Sequence, residues 1–90
     1  MTDAANTYLV EHYWPGVTPE VFREASERVR VSAEAMAVRG AHICCLHSTL
    51  VPKDEAAFCV FAASSAELVA EMYAHAGVTF ERILDALEVR

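Results

Sequence analysis

A chain of ninety residues holds one small domain and leaves no room for a second core. Hydrophobic residues make up 54% and charged residues 22%, which excludes an intrinsically disordered chain, while three Gly and three Pro exclude a collagen-like or linker sequence. Thirteen acids against seven bases leave a net charge of −6, so neither nucleic acid nor an anionic membrane surface is expected as a partner.

No apolar run approaches the ~18 residues of a membrane span, and Met1–Thr7 lacks the basic start and apolar stretch of a leader. The expectation is a single cytoplasmic domain over residues 1–90. Three cysteines, two of them the neighbours Cys44 and Cys45, do not make a disulfide framework, and no C-x-x-C pair points to a zinc knuckle.

Thr7–Tyr13 is rich in aromatic and β-branched residues and predicts a first strand, ended by Trp14-Pro15-Gly16. Thr18-Pro19-Glu20 opens a helix, with Thr as N-cap, Pro at the first turn and an acid at the positive end of the dipole. Val21, Phe22, Ala25, Val29, Ala33 and Met36 form its apolar stripe, and Gly40 suits its cap. Ala41–Val51 and Ala56–Ala62 read as an antiparallel hairpin turned by Pro52-Lys53-Asp54-Glu55. Ser64-Ser65-Ala66-Glu67 resembles a capping box with Ser64 as N-cap, and Val69, Met72, Tyr73 and Ala76 mark the second helix, ended by Gly77. The alternation over Arg82–Val89 predicts a fourth strand.

The order β-α-β-β-α-β predicts an α+β, ferredoxin-like sandwich: a four-stranded antiparallel sheet, strand order 4-1-3-2, with two helices on one face. A sheet with one wet face should alternate between apolar and polar residues. Here Phe58 and Val60 face one way, Cys59 and Phe61 the other, and both sets are apolar. The face without helices therefore needs a second cover, and a second copy of the chain is the simplest, as a homodimer packed sheet to sheet. A ligand cavity there is the alternative.

The residues that could carry chemistry are histidines, acids and cysteines, without H-E-x-x-H, P-loop, G-x-G-x-x-G or nucleophile elbow. If the hairpin closes symmetrically about Lys53, His47 faces Cys59, and opposed side chains lie ~4.5–5.5 Å apart at Cβ, within reach of one metal ion. Imidazole with thiolate suits nickel, zinc or copper. A one-residue slip would put the two on opposite faces, leaving a packed histidine and an apolar sulfur. Glu11 interrupts an apolar strand, where a carboxylate is costly unless paired. It either completes a Glu/His/Cys cluster or meets an Arg across a dimer contact. His12 points away from Glu11 and reads as a rim histidine. Glu71 and His75, four apart on the second helix, form a separate surface pair.

The runs Tyr8-Leu9-Val10-Glu11-His12-Tyr13-Trp14-Pro15-Gly16-Val17-Thr18, Val51-Pro52-Lys53-Asp54-Glu55, Phe58-Cys59-Val60-Phe61 and Ala76-Gly77-Val78-Thr79-Phe80-Glu81-Arg82-Ile83 resemble a small bacterial domain family, formerly of unknown function and now labelled nickel-binding. The resemblance spans about Tyr8 to Val89. It implies a cytoplasmic ferredoxin-like homodimer that binds nickel through surface side chains, chiefly histidines. His12 and His75 stand where such sequences commonly carry Arg.

The expected function is thus a small dimeric metal-binding protein without catalytic activity, with nickel as the ion and zinc or copper as competitors. Its candidate ligands are His47, Cys59, Glu11, His12 and His75. The alternatives are a small enzyme of the dimeric ferredoxin-like type, such as a monooxygenase or isomerase, using His47 or His12 as base, and a purely structural dimerisation module.

Overall fold

A computed structural model describes residues 6–89; the remaining ends of the expected domain, residues 1–5 and 90, lie outside the described residues. Strand β1 (Asn6–Tyr13) leads to helix α1 (Pro19–Val38), then β2 (Ile43–Val51), β3 (Ala56–Ala63), helix α2 (Ala66–Ala76) and β4 (Arg82–Ala86). A single 3-10 turn, Pro52–Asp54, joins β2 to β3. The sheet has four strands in the order β2-β3-β1-β4, every neighbouring pair antiparallel, as the split βαβ arrangement predicts.

Helix α1 starts where local chemistry dictates. The Thr18 hydroxyl accepts the Val21 N–H at 3.2 Å, and Pro19 occupies the first turn. At the far end the Gly40 N–H bonds Ala37 O and the Ala41 N–H bonds Met36 O, with Gly40 at φ +99, a conformation open to a residue without Cβ. Helix α2 begins one residue later than the expected box: Ser65, not Ser64, is the N-cap, its oxygen accepting the Leu68 N–H at 3.2 Å. Ser64 instead gives its N–H to His42 O at 3.0 Å, which ties it to the residue just before β2. Ser65→Ala should therefore cost about 1 kcal/mol in chemical denaturation, and Ser64→Ala less than about 0.5 kcal/mol.

The two sheet faces follow from the period of two. Tyr8 and Val10 of β1, Cys59, Phe61 and Ala63 of β3, and Ile43 of β2 turn toward the helices and join Val29, Ala33, Met36, Val69, Met72 and Tyr73 in one buried cluster. The Ser32 hydroxyl of α1 donates to Met72 O at 3.2 Å and links the helices. The opposite face presents Leu9, Phe58, Val60 and Leu84, so both faces of the sheet are apolar at their centre. Strand β4 is shorter than its alternation suggested. Ala86 pairs Thr7 near the start of β1, and the chain beyond it leaves the ladder.

Candidate functional site

The hairpin turn decides which side chains meet. Glu55 takes the left-handed conformation at φ 52 and gives its N–H to Pro52 O at 3.0 Å, so the loop spans four residues, 52–55. Val51 consequently pairs Ala56, Leu50 pairs Ala57, Ser48 pairs Cys59 and His47 pairs Val60. The symmetric closure about Lys53 is thus off by one in this stretch. His47 faces the open side of the sheet, and Cys59 lies beneath the helices. A bulge at Leu46 then absorbs the offset, and Cys45 pairs Phe61 in the register first expected.

On the open face the His47 Nε2 lies 3.1 Å from Glu88 Oε2. Strands β2 and β4 are the two edges of the sheet, so the segment after β4 doubles back over the open face to make this contact. Glu11 shares that face but is held within the chain: Arg82, its cross-strand neighbour on β4, donates from Nε to Oε1 at 2.8 Å. The Glu11 carboxylate holds the Arg82 guanidinium above its usual range. The arginine anticipated across a dimer contact belongs to the same protomer. On α2, His75 and Glu71 stand exposed with Nε2 and Oε2 4.0 Å apart. Among the described residues, no three His, Cys, Asp or Glu side chains converge as a metal would require.

The helix-covered face carries a second set of polar groups. His12 is 6% exposed rather than a solvated rim residue, because the connection from α2 to β4 folds over it. Its Nδ1 lies 3.1 Å from Thr79 O. A carbonyl only accepts, so Nδ1 carries the proton, and bare Nε2 accepts from the Tyr73 hydroxyl at 3.2 Å. Burial pushes the His12 pKa below its ordinary value, against smaller upward pulls from the Thr79 bond and Glu81. Burial likewise drives Tyr73 well above the usual phenol range. His12 also lines a cleft of about 190 Å³ with Trp14, Arg28, Phe80 and Glu81.

Further along this face, Ser48 donates to Cys59 Sγ at 3.2 Å, and Cys45 Sγ lies 4.0 Å from the same hydroxyl. Cys44 turns the other way and is exposed. Sequence reasoning missed Glu88, and it considered Ser48 only beside His47, where neighbours on a strand diverge and no relay forms. The alternation over Arg82–Val89 puts Glu88 in a strand that ends before it, and Ser48 acquires its partners only through the turn length and the bulge.

Residues 8–85 match the model of a family described as nickel responsive protein SCO4226-like. The fold is similar to the crystal structure of SCO4226 from Streptomyces coelicolor A3(2), with TM-score 0.78 and 15% identity over 93% of this chain and 99% of that one. No match was found among curated proteins. The family match runs from β1 into β4, and the chain accordingly belongs to the SCO4226-like family of nickel-responsive proteins.

Proposed function

We propose that this protein is a non-catalytic, cytoplasmic homodimer that binds divalent nickel at His47 and Glu88, with His75 and Glu71 as a separate surface pair. The observation that carries the reading is the 3.1 Å approach of an imidazole nitrogen to a carboxylate oxygen on an exposed face. Imidazole and carboxylate suit nickel in kind, with water or a second copy completing the donors. Bound there, the ion would supply a bridge between β2 and the C-terminal tail. Zinc would compete, and copper(II) would bind more tightly at equal supply.

Cys59 and His12 drop out of this ligand set because both lie on the opposite face of the sheet from His47, and Glu11 drops out because Arg82 holds it. The partly exposed apolar side chains of the open face, Leu9, Phe58 and Leu84, support a second copy as its cover. An enzymatic reading would draw on the cleft beside His12, yet both ring nitrogens of His12 are engaged within the fold.

Calorimetric titration of tag-free protein with Ni²⁺ tests the metal reading. Saturable binding should appear, with stabilisation of about 2.7 kcal/mol at a hundredfold excess over Kd. His47→Ala should remove the principal binding event, and wild-type affinity should fall on acidification, because the metal needs deprotonated ligands. An unchanged titration in His47→Ala would overturn the assignment. Sedimentation equilibrium reads the copy number, and a monomer would sink the dimeric part.

A further inference from the structure

We propose that Cys45 and Cys59 form a second, sulfur-only site on the helix-covered face, suited to a soft monovalent ion of the copper(I) class. The site is independent of the nickel reading and lies on the opposite side of the sheet from His47. Its basis is the bulge at Leu46, which leaves Cys45 and Ser48 pointing the same way on a strand where plain alternation would have parted them. Both sulfurs approach one oxygen, Ser48 Oγ, at 4.0 Å from Cys45 and 3.2 Å from Cys59. Two thiolates on one linearly coordinated ion sit about twice a metal–sulfur bond apart, roughly 4.6 Å for bonds of ~2.3 Å. Their common approach to Ser48 Oγ places the two sulfurs no more than about 7 Å apart, and side-chain rotation would close the rest on binding.

The surroundings select the ion. The pair adjoins the Ser48 hydroxyl, and Cys59 shares the buried core with Tyr73. Such a setting offers two soft donors, with no third His, Cys, Asp or Glu converging on them among the described residues, and matches an ion satisfied by thiolates. Each thiol releases its proton to solvent as its Cu–S bond forms, and no electron is transferred. The resulting single negative charge accepts the Ser48 hydrogen bond. Cys45 is half-buried and gives entry from the sheet edge, whereas Cys59 closes the site from within.

Anaerobic competition against the chromophoric chelator bathocuproine disulfonate, with Cu(I) as the probe, tests this site. Wild type should withdraw one equivalent from the chelator. Cys45→Ala and Cys59→Ser should each lose that capacity, Ser48→Ala should weaken it about tenfold as the loss of an outer hydrogen bond does, and Cys44→Ala and His47→Ala should keep it. Circular dichroism checks each fold, and the half-buried Cys45 provides a decisive variant should Cys59→Ser not fold. Failure of wild type to compete would overturn the proposal. So would retention of copper in Cys45→Ala, or its loss in Cys44→Ala.

Discussion

Phe61→Ala should lower the unfolding free energy by about 3–5 kcal/mol, read as a leftward shift of the urea midpoint at unchanged slope. Phe61 is fully buried at the centre of β3 and meets the Tyr73 ring edge-on, centroids 5.7 Å apart. Its removal forfeits both the transfer of a large apolar side chain and the packing of the space left behind. The cavity would open between sheet and α2, where Val69, Met72 and Tyr73 are already tightly enclosed and can collapse little. Small domains have total stabilities of ~5–15 kcal/mol, so this variant stands at the edge of folding. Phe58→Ala makes the control. Phe58 lies on the open face and is only partly covered within one protomer, so its replacement should cost the monomer less; a cost equal to that of Phe61 would mean the two faces are equally enclosed in solution.

His12→Ala should be the second large loss, about 3 kcal/mol near neutral pH. The Tyr73 hydroxyl and the Thr79 carbonyl each lose their partner, and an orphaned buried polar group costs roughly 1–3 kcal/mol. The pH dependence separates this from plain packing. Burial depresses the His12 pKa from its ordinary 6.5 in the folded state. Above that value both folded and unfolded chains carry neutral imidazole, and the contribution to stability is complete. As pH falls below it, the unfolded chain takes up a proton that the folded chain resists, so stability declines until the lower folded value is passed. His12→Ala should flatten the corresponding part of the stability curve on the acid side of pH 6.5. A curve of unchanged shape would assign the acid response to another group.

The element order and strand order were legible because they depend on features that a short window contains. Thr18-Pro19 caps and starts α1, Trp14-Pro15-Gly16 stops β1, and the hydrophobic period switches from two to about 3.6 at each boundary. The doubly apolar sheet was legible for the same reason, since Phe58, Cys59, Val60 and Phe61 are consecutive. The site was less so. Whether His47 meets Cys59 or Val60 depends on Glu55 adopting a left-handed conformation, which sequence alone does not demand of a glutamate. The burial of His12 depends on the path of residues 77–81, and its two hydrogen bonds span sixty residues or more of chain. Glu11 with Arg82 was half visible: strand order places β1 beside β4, but the pairing needed the register of both.

Glu55 also fastens two parts of the molecule that are distant along the chain. Its carbonyl accepts the Trp14 N–H at 2.7 Å and its carboxylate the Gly16 N–H at 3.0 Å.

The bulge at Leu46 gives β2 a spare residue. Excising Leu46 would join Cys45 directly to His47 and let the ladder run unbroken from the turn to Ile43, every remaining side chain keeping its present side. Adding a residue at the same place would have to be absorbed by a wider bulge or would invert the strand from there to its start, carrying Ile43 out of the core. The hairpin should therefore tolerate shortening at this position and resist lengthening, an asymmetry that belongs to the spare residue and to no other position in the strand.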